Sequence, residues 1–279
     1  MYRFVKADID RGLRAKWFVF VIISLLTAVR IVLFDMSINS RLVQLNMNSD
    51  ISIIDNFFYM FRGMKEYVDI RKNIFEIPDA YLVINLILAV IIGMYPVRDS
   101  KGVGILYMLK GESRVSWWLS KCVWNIVSVV VFYISIYIGI MAGSVLYGCI
   151  SHANVLSDKF NYDIVMLVSN YKVDKAGSIQ LLFYIVIMPL IASIAISYIQ
   201  MLISFIAGQI AGYLFVIIIM CIAAYYMSPF LLGNSMMALR YVLINPDGIT
   251  LCSVILFSII LSILVILIGS IYFKKKDIT

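Results

Sequence analysis

Charged residues are scarce in this chain of 279 residues: Asp, Glu, Lys and Arg make up 14% of it, whereas 63% is hydrophobic. A soluble domain has about 25% charged and roughly 45–50% apolar residues, and it needs charged surface to stay dissolved. The mean hydropathy of +0.97 therefore excludes a water-soluble enzyme, a disordered chain and a disulfide scaffold. The unbroken apolar runs are far longer than the alternating segments of about ten residues in a membrane β-barrel. The predicted fold class is an all-α polytopic membrane protein.

Sequence motifs for chemistry are absent as well. The chain has no GxxxxGK[ST] phosphate loop, a single histidine and no CxxC spacing among its four cysteines. We therefore expect no metal site and no ATP bound by this chain. Cys149 and Cys252 fall near predicted external ends, so pairing between them stays open beside simple apolar packing. The predicted spans lack paired carboxylates and Ser/His pairs, which argues against an intramembrane enzyme.

Six apolar segments are long enough to cross a hydrocarbon core of about 30 Å. The uncharged stretch between Lys175 and Arg240 is too long for one span, and small residues at 207–212 mark a break. This break is either a turn or a packing kink in which Gly208 and Gly212 form a small-xxx-small pair. Within one transmembrane domain of residues 1–279, the predicted spans are 17–34, 80–97, 122–148, 179–206, 210–232 and 250–273.

The basic residues are distributed unevenly between the predicted loops. Residues 1–16 and the loop 98–121 each carry five basic and two acidic residues, and the tail adds Lys274, Lys275 and Lys276. The loop 35–79 carries five basic and seven acidic residues. Because Lys and Arg stay cytoplasmic during insertion, we expect both termini and 98–121 inside the cell and 35–79 outside. The net charge of +7 is thus explained by topology and lipid headgroups, and nucleic acid is not an expected partner.

Residues 1–16 have the pattern of an amphipathic helix lying in the membrane interface. The apolar face consists of Tyr2, Val5, Ile9, Leu13 and Trp17, and the charged face of Lys6, Asp10 and Arg14. Two interpretations stay open. The helix is either an elbow that transmits the movement of a cytoplasmic partner or a simple anchor.

Few polar residues lie inside the predicted spans. Arg30 is the one ionisable residue there, and it either anchors the first span near its outer end or contacts an anionic substrate or lipid. The lack of other titratable groups argues against gradient-driven transport. Neutral polar residues either form interhelical hydrogen bonds or line a substrate pathway. They are Asn85 and the stripe Ser193, Ser197, Gln200 and Ser204.

The loop 98–121, between the second and third spans, is the most distinctive segment. Pro96 and the glycines at 102 and 104 break the preceding helix. An apolar patch that includes Leu106 follows within a basic loop. A short apolar element with charged flanks is suited to docking a soluble partner.

This arrangement resembles the permease subunits of ABC type-2 exporters. Those have an acidic residue and a glycine after the second span, a short leucine-rich helix, a Ser–Arg pair and a lysine that opens the third span. The segment 228–246 is similar to the re-entrant hairpin before the last span of that family, and the long loop 35–79 resembles bacterial peptide-export or immunity permeases. The positions that match the coupling loop are Asp99, Gly102, Leu106, Leu109, Ser113, Arg114 and Lys121.

The resemblance implies a half-transporter in a bacterial cytoplasmic membrane. It would pair with a second copy or a related permease, and ATPase subunits carrying ATP and Mg would bind beneath it, so this chain would hold no cofactor of its own. The implied substrate is amphipathic or lipophilic, such as an antimicrobial peptide, a drug or a lipid. The alternative is a non-transporting immunity or sensor protein that binds a peptide through 35–79.

Overall fold

The chain folds into eight described helices with no strand among the described residues, apart from one isolated bridge between Tyr241 and Ile249. The structure is a computed structural model that describes residues 2–46, 51–67, 77–102, 104, 114–151, 160–161, 164, 166–167 and 177–275. The helices are α1 Tyr2–Gly12, α2 Trp17–Gln44, α3 Ile53–Phe61, α4 Asp79–Ser100, α5 Arg114–Ser151, α6 Ser178–Ala207, α7 Gln209–Tyr225 and α8 Leu251–Lys275.

Five segments of the described chain, which contain α2, α4, α5, α6 and α8, are long and apolar enough to cross a membrane. Their outer faces carry exposed aliphatic side chains, such as Leu25 on α2 and Leu264 on α8, which suit contact with lipid. The helix α7 is also apolar but has 17 residues, or about 25 Å of helix. These five candidate spans confirm the prediction of an all-α multi-pass membrane protein.

The helix α5 lies at the centre and contacts α1, α2, α3, α4, α6 and α8. It meets α2 through Gly139 and Gly143, which are one helical turn apart. A Cβ atom at Gly139 would lie 2.5 Å from the carbonyl oxygen of Ser24, and one at Gly143 would lie 2.7 Å from that of Ala28. The two backbones therefore touch, as in the small-xxx-small contacts of membrane helices.

The break at 207–212 is a turn. Gly208 has a φ of 96°, which favours glycine, and it joins the end of α6 to the start of α7. The helix α7 then runs back along α6. Gly212 of α7 lies against the Ser204 hydroxyl and the Gln200 carbonyl oxygen, both of which belong to α6. The alternative, a packing face shared by Gly208 and Gly212, is not formed, since a Cβ atom at Gly208 would have no neighbouring atom within 4 Å.

The segment 35–79, predicted to be an external loop, contains helical structure among its described residues. The helix α2 continues to Gln44, and α3 packs its Phe57 and Phe58 rings into the bundle. A capping box between Ser52 and Asp55 begins α3. Charged residues such as Asp35 end an apolar run without ending a helix, so the helix that contains the first predicted span continues beyond residue 34. In the same way both ends of the predicted loop 98–121 are helical, since α4 continues to Ser100 and α5 begins at Arg114.

The segment 228–246 forms two short 3₁₀ turns, Leu232–Met236 and Ala238–Arg240, rather than a helical hairpin. Arg240 is fully buried there, and its guanidinium donates to the carbonyl ends of α7. A cation at a helix C-terminus also complements the helix dipole. The acceptors are the carbonyl oxygens of Met64, Lys65, Ala223, Ala224 and Tyr226 and the side-chain oxygen of Asn234.

Replacing Gly139 with leucine is expected to lower the free energy of unfolding by about 1–3 kcal/mol, because the new side chain meets the α2 backbone. Thermal unfolding of the detergent-solubilised chain measures this. Met141→Leu is the control, since Met141 is 52% exposed on the same helix. Equal losses in both variants would contradict the close approach of α2 and α5.

Arg240→Met is expected to cost on the order of 3 kcal/mol of unfolding free energy, because several buried carbonyl groups lose a charged donor. Limited proteolysis between α7 and α8 should become faster in this variant. The matched control is Arg14→Met, because the Arg14 side chain is 82% exposed. Unchanged stability and proteolysis in Arg240→Met would disprove the anchoring role.

Candidate functional site

The helix α1 lies against the start of α5, at what we call the α1 end of the bundle. Its buried stripe is Phe4, Asp8 and Gly12, which is rotated from the predicted apolar face. Gly12 allows this approach, because a Cβ atom there would overlap the Trp124 ring. Of the predicted apolar face, Tyr2 and Trp17 are 79% and 65% exposed. Tyr2 and Trp17 are thus available to lipid, whereas Ile9 packs against the core and Leu13 is buried.

Lys121 is the central residue of the α1 end. Its side chain is 1% exposed, and its ammonium pairs with Asp8 of α1 and, at 2.7 Å, with Oδ2 of Asp99 near the end of α4. We call Asp8, Asp99 and Lys121 the lysine cluster. A buried charge is tolerated only when it is paired and hydrogen-bonded, so these three residues must stay together in the folded chain.

Neutral donors complete the coordination of Asp8. The Tyr95 hydroxyl donates to its Oδ1 at 2.7 Å, and the Ser120 hydroxyl donates to its Oδ2 at 2.8 Å. Both carboxylate oxygens are therefore satisfied within a site that is 3% exposed at the Asp8 side chain. Asp8 therefore fixes the position of α1 through its contacts with Lys121, Tyr95 and Ser120.

Asp99 is held by partners from two helices besides Lys121. The Trp117 indole donates to Oδ2 at 3.3 Å, and Arg11 lies 3.5 Å from Oδ1. The Lys121 ammonium also lies 5.0 Å from the centre of the Trp117 ring, a cation–π distance. The cluster thus joins α1 to both helices that border the loop after α4.

The predicted coupling residues are only partly brought together. Asp99 and Lys121 are in direct contact, Gly102 is exposed just after α4, and Arg114 is half-buried at the start of α5. Leu106, Leu109 and Ser113 lie outside the described residues. Asp8 was missed as a site residue, because its partner cation Lys121 is 113 positions away in the chain.

Two residues of the predicted pathway stripe bind neighbouring helices. The Ser193 hydroxyl lies 2.6 Å from the Tyr133 hydroxyl of α5, and Ser197 donates to Asn125 Oδ1 at 2.7 Å. These contacts are interhelical hydrogen bonds of the kind that small polar residues form in membranes.

The other stripe residues are buried as well. Gln200 donates from Nε2 to the carbonyl oxygen of Ala89 at 2.7 Å, and Asn85 bonds the Tyr81 carbonyl oxygen of its own helix. Ser204 lies against Gly212. None of the five residues lines either of the two described cavities, and all five are buried.

A cavity of about 500 Å³ opens between α2, α3, α4 and α5. Its walls are mainly aliphatic and aromatic, and its polar end holds Arg30 and Asp79, whose side chains meet at 2.7 Å. The Arg30 guanidinium also lies 5.5 Å from the centre of the Tyr59 ring. Because Asp79 already compensates Arg30, the anchoring interpretation of Arg30 is favoured over contact with an anion.

Sequence reasoning missed a second buried polar group around α3. Asn56 donates to Asp35 at 3.1 Å and to Ser144 at 2.9 Å.

Burial raises the pKa of the neighbouring Asp55 to about 6. Its protonation therefore contributes stability that is fully present below the unfolded pKa near 4 and lost as the pH rises through about 6.

Metal and thiol chemistry find no support among the described residues. No group of three or more His, Cys, Asp or Glu side chains there is placed to hold a metal ion. Cys149 and Cys252 are both free and exposed, so the disulfide that the sequence left open is not formed.

Lys121→Met is expected to lower the free energy of unfolding by about 3–5 kcal/mol, because two buried carboxylates lose their cation. A triple variant that also carries Asp8→Asn and Asp99→Asn should recover part of this loss, since no charge is then left unpaired. Thermal unfolding in one detergent compares the three proteins.

The control for Lys121→Met is Arg14→Met, which removes the exposed pair of Arg14 with Asp10 and should change stability by about 0.5 kcal/mol or less. A Lys121→Met protein as stable as the wild type would refute the cluster. A triple variant no more stable than Lys121→Met would show that packing, rather than charge, explains the loss.

No protein-family model, curated protein sequence or solved structure matches this chain. The functional argument therefore rests on the residues of the chain itself: five candidate spans, two cavities and the lysine cluster.

Proposed function

We propose that this chain is the membrane-spanning permease subunit of an ATP-driven exporter of the ABC type-2 class. The observation that carries the proposal is the lysine cluster, in which Asp99 and Lys121 meet Asp8 of α1. Two of the residues that match the family's coupling loop are thereby tied to the amphipathic helix.

The cluster gives a physical route for mechanical coupling. A partner that pushes the loop between Ser100 and Arg114 acts on the end of α4 and the start of α5. Because separating Lys121 from its carboxylates is costly, α1 has to move with those two helices as one unit. Rigid-body movement of such a unit is a common way of switching between access states. The elbow interpretation of α1 follows from this argument.

Six crossings with both termini in the cytoplasm are part of the proposal. The turn at Gly208 lets α7 run antiparallel to α6, as a fifth crossing requires, and the segment held by Arg240 covers the far end of α7. Lys274 and Lys275 at the end of α8 then lie on the same side as α1, in agreement with the preference of basic residues for the cytoplasm.

The substrate class follows from the cavity between α2, α3, α4 and α5. Its walls are apolar and its one cation, Arg30, is paired with Asp79, so an amphipathic or lipophilic molecule fits better than a strongly charged one. The pathway would be completed by a second copy or a related permease. The burial of α3 weakens the alternative of a peptide-binding immunity or sensor protein. This helix is part of 35–79, the segment that would bind the peptide, and it is largely buried.

The test uses Arg114→Glu, since Arg114 lies half-buried where the loop enters α5. We expect a phosphate-loop ATPase to co-purify with the wild-type chain from its native membranes, and transport-coupled ATP hydrolysis to fall at least tenfold in the variant while membrane insertion is unchanged. The charge-reversal control is Lys274→Glu, at the end of α8. The purified chain alone should hydrolyse no ATP.

Two outcomes would contradict the permease assignment. The first is ATP hydrolysis by the isolated chain. The second is full activity of Arg114→Glu together with loss of activity when residues 64–67 between α3 and α4 are substituted, which would favour the immunity or sensor protein.

A further inference from the structure

A second cavity, of about 600 Å³, lies at the α1 end of the bundle. It is bordered by α1, the turn before α2, the end of α4 and Gln209 of α7. Its walls combine four cationic side chains with two apolar ones. These residues are Arg11, Lys16, Arg98, Lys101, Met94 and Val97.

Arg11 lies beside Asp99, whereas the other three cations of the cavity have no acidic partner among the residues that the structure describes. Asp99 is its single carboxylate, and the lysine cluster already engages that group. Lys16, Arg98 and Lys101 form no ion pair with a described residue. The positive charge of Arg98 acts on the half-buried Lys16. Like charges in a concave site concentrate a positive potential, so the complementary occupant is an anion.

The apolar wall indicates which anion fits. Met94 is 47% exposed on the outer face of α4, and Trp17, next to Lys16 in the chain, is 65% exposed. Exposed tryptophan at the end of a spanning helix is typical of the headgroup region of a membrane. The cavity therefore joins a cationic recess to a surface suited to acyl chains, a combination that a soluble anion would not use.

We propose that this cavity binds the phosphate group of an anionic phospholipid. The phosphate lies among Lys16, Arg98 and Lys101, and an acyl chain runs along Met94. Ammonium and guanidinium donors form strong charge-assisted hydrogen bonds with phosphate oxygens. The site is independent of the proposed transport function and requires only that the chain is embedded in a membrane.

The experiment is native mass spectrometry of the full chain with phosphatidylglycerol, phosphatidylcholine or inorganic phosphate as the probe. The test protein carries Lys16→Gln and Arg98→Gln, and the control carries Lys274→Gln and Lys275→Gln at the end of α8. We expect phosphatidylglycerol to bind about 30-fold more weakly to the test protein, about fivefold for each lost cation, and unchanged to the control.

The outcomes distinguish the lipid from other sources of phosphate. Equal binding of phosphatidylglycerol by wild-type and test proteins would overturn the proposal, as would equal affinity for phosphatidylcholine. Displacement of the lipid by an equal concentration of inorganic phosphate would show a site for soluble anions instead. Because Lys16 and Arg98 repel each other, removing both charges should leave the unfolding temperature at the wild-type value or above it. When this unfolding temperature is measured, weaker lipid binding by the test protein is not explained by misfolding.

Discussion

A lysine ammonium in a nearly dry site needs compensating charge, and Lys121 has two carboxylates within contact distance. Moving an ion from water into protein costs several kcal/mol, so α5 can bury Lys121 only while Asp8 and Asp99 stay in place. The helix α1 and the end of α4 are thereby fixed to the start of α5. The proposed coupling, the placement of the amphipathic helix and the cationic cavity beside Asp99 all depend on this requirement.

The two ends of the bundle solve the problem of buried charge differently. At the α1 end carboxylates compensate a lysine, whereas at the far end the guanidinium of Arg240 is satisfied by carbonyl oxygens of α7 and the segment before α4. Between them lie backbone contacts at glycine and neutral hydrogen bonds such as Ser197 with Asn125. The charged groups therefore fix the two ends of the bundle, whereas these contacts between them are neutral.

The sequence predicted what depends on local composition. Long apolar runs located the five candidate spans, and small residues located the break at 207–212 without deciding between a turn and a packing kink. Burial of a charged side chain depends on partners far along the chain, so the sequence indicated neither the burial of Asp8 nor that of Arg240. The same limit explains why the burial of α3 within 35–79 was not predicted, and why the polar stripe at Ser193 did not reveal whether it faced a helix or a pathway.

The most direct test of the central claim is a distance measurement by pulsed electron paramagnetic resonance, with spin labels at Lys6 of α1 and Lys274 of α8, both exposed. The wild-type chain in lipid nanodiscs should give one narrow distance distribution, and Lys121→Met should broaden it because α1 is released from α5. The same narrow distribution in both proteins would contradict the account, since α1 would then be held in place without the charge of Lys121.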